Sequence, residues 1–141
     1  MENGVKKRIE ERLVKLDGCI SELKKITPKT YDEYSNSSIE VKWDLERGLQ
    51  LISEMEVDII VSLHRIFKKG PAGEELSLIS AMSKELGEGV VKEIKERRKL
   101  RNELVHAYTI DNDEQVFDQA EDTADVERFK EAVKSLLFDV Q

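Results

Sequence analysis

The residues whose side chains are best suited to catalysis lie close together in the last third of the chain. This segment holds three arginines and one of the two histidines, namely Arg97, Arg98, Arg101 and His106. A histidine has an unperturbed pKa of about 6.5, so it can take or give a proton near neutral pH. An arginine can hold the negative charge that gathers on a reacting phosphate. Together these residue types favour cleavage of a phosphodiester bond in RNA, for which they require no metal.

The placement of Arg101 and His106 on their helix leaves alternatives open. Ile94, Arg101 and Tyr108 are seven residues apart and therefore share one face of the helix predicted for residues 90–107. An arginine on such an apolar face either extends into solvent or sits at a partly buried site that meets an anion. Arg101 and His106 point about 140° apart, so they can meet one ligand only if the helix frays or a two-fold axis brings a second copy alongside.

The string Arg-Asn-Glu-Leu-Val-His-Ala-Tyr at residues 101–108 resembles the R-x4-H-x-Y signature of the HEPN superfamily, and most closely that of the HepT toxins. Residues 31–67 also resemble the second helix of that family, and residues 89–91 resemble the start of its motif helix. The resemblance implies an all-helical, symmetric homodimer in which two motif helices meet at a cleft. It also implies a metal-independent endoribonuclease that arrests growth, with Arg101 and His106 as catalytic residues.

The same resemblance implies a partner and a modification. HepT toxins form type II or type VII-like toxin–antitoxin pairs with MntA, a small nucleotidyltransferase that transfers AMP from ATP onto the motif tyrosine, which is Tyr108 here. Phosphates added beside Arg101 would pair with the arginines and block the cleft by charge and bulk. Asn102, Arg97 and Arg98 are the predicted RNA-binding residues around the catalytic pair. An alternative from another class is a non-catalytic helical module that binds a nucleotide or a partner protein.

The charge of the chain limits where RNA could bind. Its 30 acidic and 23 basic residues give a formal net charge of -7, which disfavours general binding to nucleic acids or membrane surfaces. Residues 92–101 nevertheless hold six basic and two acidic residues, whereas residues 111–127 hold eight acidic residues and no basic one. The sequence therefore predicts a local RNA site on the motif helix. The structural alternative is a solvated helix face with Glu/Lys pairs at four-residue spacing, a pattern that Glu93 and Glu96 fit in part.

The hydrophobic pattern predicts an all-α fold. Apolar residues recur every three or four positions, and no segment alternates with a period of two. We expect an up-and-down bundle of four to five helices in a single domain over residues 1–141. The helices are expected over residues 5–26, from a cap at Ser37 to residues 70–71, over residues 76–86, over residues 90–107, and from about residue 124. Residues 30–36 are expected to form a loop, and Gly87 and Gly89 to end the third helix.

Other features exclude further classes of protein. The single Cys19 cannot form an intrachain disulfide, and no zinc-site spacing occurs, so we expect a cytoplasmic protein without a metal or other cofactor. No segment has the composition of a signal peptide or of a membrane span. His64 lies among apolar residues and is expected to pack in the core or at an interface. Residues 111–116 resemble a calcium loop only superficially, since Val116 stands where glycine is required.

Overall fold

The computed structural model describes residues 3–67, 73–106 and 112–139, and every regular element in these ranges is a helix. The elements are, in chain order, α1 (Asn3–Ile26), α2 (Tyr31–Ser35), α3 (Ile39–Ile66), α4 (Glu75–Ser80), α5 (Ser83–Leu86), α6 (Glu88–His106), α7 (Asp113–Glu121) and α8 (Ala124–Asp139). The all-α prediction is therefore confirmed. The helices α1, α3, α6 and α8 correspond to helices expected from the sequence, α4 and α5 together occupy the place of the expected third helix, and α2 and α7 are additional.

The long helices α1 and α3 run antiparallel along each other. Near one end Arg12 Nε of α1 lies 3.5 Å from Asp58 Oδ2 of α3, and towards the other end Leu23 packs against Gly48. A Cβ atom at Gly48 would come within 3.0 Å of Leu23 Cδ1, so the absence of a side chain there sets how closely the helices approach. Their apolar stripes meet in one core, whose fully buried members include Ile9, Leu16, Leu45, Ile52, Ile59, Ile60 and Leu63.

The two ends of α3 differ from those predicted. Ser38, and not Ser37, is the N-cap, because Ser38 Oγ accepts a hydrogen bond from a backbone N–H of the first turn. Ser37 Oγ instead donates to the backbone oxygen of Glu33 in α2. The helix ends at Ile66 and spans 28 residues, which is about 42 Å. The expected end at residues 70–71 was therefore too late.

Helices also occur where irregular chain was expected. Thr30 caps α2, its side chain accepting a hydrogen bond of 3.1 Å from a backbone N–H of the first turn. Phe117 of α7 packs against Tyr31 and Tyr34 of α2, with ring centroids 5.9 Å and 5.8 Å away. The loop prediction for residues 30–36 was wrong because these aromatic contacts, made with a distant part of the chain, stabilise α2.

The expected third helix is divided into two shorter ones. Its first part, α4, ends at Ser80, and its second part, α5, begins at Ser83. Gly87 ends α5 as predicted, with a φ of 96° that residues with a side chain rarely adopt. Gly89 lies inside α6, which begins at Glu88, so the prediction that both glycines end a helix was wrong for Gly89.

The motif helix α6 is held from several sides. It packs against α3, α4, α5, α7 and α8. Val91, Ile94 and Leu100 form its buried apolar side. The surrounding helices therefore fix the position of α6 along the segment that carries the arginines.

No helix of the described ranges combines the length and hydropathy that a membrane span requires.

Candidate functional site

Arg97 of α6 and Glu56 of α3 form a bidentate ion pair inside the core. Arg97 donates from Nε to Glu56 Oε1 at 2.8 Å and from Nη2 to Glu56 Oε2 at 2.6 Å. Glu56 is fully buried, and only 6% of Arg97 is exposed. Burial alone would lower the pKa of Arg97, but the charge of Glu56 and the hydrogen bonds to it raise this pKa above its ordinary value. The pair joins α6 to α3, and the guanidinium of Arg97 already binds a carboxylate.

Arg98 makes a similar pair with Glu75 of α4. Its Nε donates to Glu75 Oε2 at 2.7 Å and its Nη2 donates to Glu75 Oε1 at 2.6 Å. Arg98 is buried, whereas 48% of the Glu75 side chain is exposed. The hydrogen bonds from Arg98 lower the pKa of Glu75 below its ordinary value, although partial burial opposes them. This pair holds α4 against α6.

Arg101 is bound much more loosely. Its Nη2 donates one hydrogen bond of 3.2 Å to Glu54 Oε1 of α3, and its Nη1 donates one of 3.2 Å to Asn102 Oδ1. Its Nε has no hydrogen-bond partner, and 22% of the side chain is exposed. A bidentate pair with short bonds is the stronger arrangement, so Arg101, the most exposed of the three, is the arginine whose hydrogen bonds an anion can most readily replace.

The structure brings Arg101 and Asn102 together but separates them from Arg97 and Arg98. Asn102 is exposed beside Arg101. Arg97 and Arg98 are buried in their ion pairs, which does not favour the predicted direct contact of either with RNA. The side chain of His106 and the whole of Tyr108 lie outside the described residues, although the backbone of α6 extends to His106.

The exposed cations of α6 are lysines, which the sequence analysis did not single out. A groove of about 560 Å³ runs along this face of the helix. It is lined by Leu76, Lys92, Lys95, Glu96, Lys99, Asn102 and Glu103. The lysines follow one another at three- and four-residue spacing and share one face, whereas the apolar stripe that includes the buried Ile94 lies about 100° or more around the helix axis from each of them. The positions of the apolar residues around α6 are therefore the sequence signal that distinguishes the exposed lysines from the buried arginines.

Glu93 pairs with a residue of another helix, whereas a solvated helix face would have paired it with a neighbour on α6. Its Oε2 accepts a hydrogen bond of 2.6 Å from Arg128 Nη2 of α8, and Arg128 also pairs closely with Asp125. The hydrogen bond from Arg128 is the main cause that lowers the pKa of Glu93. Glu93 therefore links α6 to α8 and does not form a lysine pair along α6.

Other candidate residues behave as packing residues. His64 is 7% exposed, which confirms that it packs within the fold. Cys19 is half-buried, and burial raises the pKa of its thiol, as expected of an inert cysteine. Within the part of the chain that the structure describes, no three His, Cys, Asp or Glu side chains are arranged to hold a metal ion.

Comparison with solved structures defines the class of the fold. A tri-AMPylated HEPN toxin of Shewanella oneidensis, in complex with an MNT antitoxin, superposes with a TM-score of 0.82 at 18% identity, covering 96% of this chain and 99% of that chain. A toxin–antitoxin complex with AMP-PNP gives a TM-score of 0.82 at 18% identity, over 94% of this chain and 99% of that chain. The chain therefore has the fold of a HEPN toxin.

The family follows from the sequence match. The family model described as Ribonuclease HepT-like matches residues 16–136. Since the match spans most of the chain, this protein belongs to the HepT-like ribonuclease family. No curated protein matches the chain by sequence. The resemblance to HepT toxins that the R-x4-H-x-Y string indicated is thereby confirmed.

Proposed function

We propose that this protein is a metal-independent endoribonuclease toxin. In this proposal Arg101 and His106 are the catalytic residues, and they line a cleft shared by the two copies of a symmetric homodimer. A nucleotidyltransferase antitoxin similar to MntA neutralises the toxin by transferring AMP onto Tyr108. Asn102 supports RNA binding beside Arg101, whereas Arg97 and Arg98 fix the position of α6.

The observation that carries the proposal is the difference between Arg101 and its two neighbouring arginines. Arg97 and Arg98 each donate hydrogen bonds from two nitrogens to one carboxylate, at 2.6 to 2.8 Å. Arg101 donates only one hydrogen bond to a carboxylate, at 3.2 Å. It is also the arginine that lies five residues before His106 on the same helix. The arginine at the motif position is thus the one whose guanidinium remains able to bind a phosphate.

The chemistry that these residues support is transesterification at phosphorus. The 2′-hydroxyl of the RNA loses its proton, and its oxygen forms a bond to the adjacent phosphorus. The bond from phosphorus to the 5′-oxygen breaks, and this oxygen gains a proton. His106 takes or gives these protons, and Arg101 stabilises the charge on the phosphoryl oxygens. The products are a 2′,3′-cyclic phosphate and a 5′-hydroxyl.

A dimer supports this chemistry because it removes the geometric difficulty within one helix. Positions five residues apart on a regular helix lie about 140° apart around its axis, so one regular helix would not direct Arg101 and His106 to the same ligand. A two-fold axis beside α6 would place an arginine from one copy near a histidine from the other. It would also double the exposed lysines along the groove, which concentrates positive charge where RNA must bind.

Neutralisation by AMP follows from the same charges. Tyr108 lies two residues beyond His106 in the sequence. An AMP group on its hydroxyl would bring a phosphate close to Arg101, pair with the guanidinium and exclude the phosphate of RNA. The solved HEPN toxin with which this chain shares its fold is itself tri-AMPylated and bound to an MNT antitoxin.

The direct experiment is RNA cleavage in the presence of EDTA. The wild-type protein should cleave RNA to products that end in a 2′,3′-cyclic phosphate, and His106→Ala should lower the rate by about a hundredfold or more. Lys134→Ala, an exposed change on α8, serves as the control and should cleave normally. Equal cleavage by wild type and His106→Ala would show that a contaminating nuclease, or another site, is responsible.

A further inference from the structure

We infer that Glu54 is a built-in competitor for the phosphate site of Arg101. In the absence of RNA the Glu54 carboxylate holds the guanidinium, and RNA must displace it to bind. The inference rests on the proposed function, because it takes the phosphate of RNA as the anion that Arg101 binds. It adds a residue of α3 that lies outside the R-x4-H-x-Y segment and sets the RNA affinity of the site.

The geometry of the Arg101–Glu54 pair is that of an exchangeable contact. A single hydrogen bond of 3.2 Å joins Arg101 Nη2 to Glu54 Oε1. The side chains are 22% and 39% exposed, so water reaches both partners. Ion pairs of this kind contribute little to stability, because solvent screens them and holding two long side chains costs entropy. The buried, bidentate pair of Arg97 with Glu56 provides the contrast on the same two helices.

The number of hydrogen bonds that each anion makes decides the outcome when RNA arrives. A phosphodiester carries the same negative charge as the Glu54 carboxylate, and both require N–H groups of one guanidinium. Asn102 already accepts from Nη1 and the Nε atom is buried, so Nη2 is the nitrogen for which the two anions compete most directly. A phosphate that accepts from Nη2 and from the remaining N–H of Nη1 makes two charge-assisted hydrogen bonds, which is stronger than the single contact to Glu54.

The structure offers Glu54 another position when it leaves Arg101. Glu54 lines a groove of about 760 Å³ between α1 and α3, and Lys15 and Arg47 line the same groove. Glu22, Asp44 and Asp58 line this groove as well, so a carboxylate that turns away from Arg101 exchanges the guanidinium for water and not for a surplus of positive charge. Displacement of Glu54 requires a change of side-chain rotamer and no movement of a helix.

Glu54→Gln isolates the effect of the charge. Glutamine keeps the size of the side chain and an oxygen that can accept from Arg101, but it does not repel phosphate. The probe is a 2′-O-methyl RNA oligonucleotide, which cannot be cleaved because it lacks the attacking hydroxyl, and binding is followed by fluorescence anisotropy at low salt. We expect Glu54→Gln to bind this probe about fivefold more tightly than wild type. The control Glu131→Gln removes an equal charge from an exposed ion pair of α8 and should bind as wild type does.

A double variant shows whether Glu54 acts through Arg101. In an Arg101→Ala background, Glu54→Gln should bring no gain in affinity, because the competing carboxylate has no guanidinium to occupy. An equal gain in both backgrounds would overturn the inference and would indicate a general effect of net charge. Equal or weaker binding by Glu54→Gln than by wild type would overturn it as well.

A second probe separates this inference from the proposed function. If no variant binds the oligonucleotide, the proposed function fails, and inorganic phosphate is then titrated while the Nε–Hε resonance of Arg101 is followed by NMR. Tighter binding of phosphate by Glu54→Gln than by wild type and Glu131→Gln supports competition at Arg101. Equal phosphate affinity in all three proteins overturns it.

Discussion

Glu56 and Arg97 face each other across the contact between α3 and α6, joined by hydrogen bonds of 2.8 Å and 2.6 Å and almost completely removed from solvent. A buried ion pair of this kind contributes little compared with well-packed apolar side chains, because both charges lose their hydration. Loss of one partner is costly, since it leaves the other charge buried and unpaired. The contact therefore acts mainly by fixing where α6 lies on α3.

Glu56→Gln should accordingly destabilise the protein strongly. The amide leaves the Arg97 charge in the core without a counter-charge, and we expect the free energy of unfolding to fall by about 3 kcal/mol or more. Urea denaturation followed by circular dichroism measures this loss. The exposed change Glu131→Gln should stay within about 0.5 kcal/mol of wild type. A Glu56→Gln protein as stable as that control would contradict a structural role for the pair.

The pair of Arg98 with Glu75 predicts a dependence of stability on acid. Because Arg98 lowers the pKa of Glu75 in the folded state, the pair stabilises the protein above the unfolded pKa of a glutamate, and this contribution is lost as the pH falls through the folded pKa. Wild type should therefore lose more stability than Glu75→Gln on acidification below the pKa of about 4.3 of an unfolded glutamate.

The difference between the two proteins should remain under about 1 kcal/mol, since Glu75 is half exposed and solvent screens the pair. Urea midpoints measured at neutral and acidic pH provide the test. Parallel losses in both proteins would mean that Glu75 does not contribute to the acid sensitivity.

Phe117 predicts how firmly α7 is attached. It is 4% exposed, and its ring contacts both Tyr31 and Tyr34, whose own centroids are 6.4 Å apart, so the three rings pack as a triangle. Phe117→Ala should lower the free energy of unfolding by about 3 to 4 kcal/mol, because it removes an aromatic ring from a packed cluster. Trp43→Ala, which removes an exposed aromatic side chain, should cost less than about 1 kcal/mol. Similar losses for both variants would argue against the packing of α2 on α7.

A mixing experiment tests whether each site combines residues of two copies. Arg101→Ala and His106→Ala should each be inactive alone. A heterodimer of the two variants contains one site with an intact arginine and an intact histidine if the site is shared between copies. Unfolding and refolding the two variants together should therefore restore about a quarter of the wild-type cleavage rate, as random pairing gives about half heterodimers with one active site each. No restoration would place both residues of a site in the same copy.

The sequence predicts the large features of the fold because they depend on local patterns. The apolar stripe of α1 and the proline after it determine that helix, and Gly87 ends α5 through a backbone conformation that glycine adopts easily. The helices α2 and α7 are missed because contacts with distant parts of the chain stabilise them, α2 packing on α7 and α7 also on α3. Phe117 is one aromatic residue in a strongly acidic segment, and nothing nearby in the sequence indicates the tyrosines against which it packs.

In the candidate site, too, the sequence predicts what depends on local patterns and misses what depends on contacts between distant residues. The motif marks Arg101, but the sequence does not show that Arg97 and Arg98 are occupied by glutamates from α3 and α4. Local charge counting treats all three arginines as one basic surface. Burial separates them, and it depends on which side of α6 packs against the other helices.

The central claim is that Arg101 binds the reacting phosphate, and its most direct test is the single-turnover rate of RNA cleavage in EDTA. Arg101→Ala should lower this rate by about a hundredfold to a thousandfold with an unchanged melting temperature, since it removes charge stabilisation from the transition state. Lys134→Ala, which removes an exposed cation from α8, should cleave at the wild-type rate. Cleavage by Arg101→Ala at the wild-type rate, in a preparation where His106→Ala is inactive, would contradict the claim.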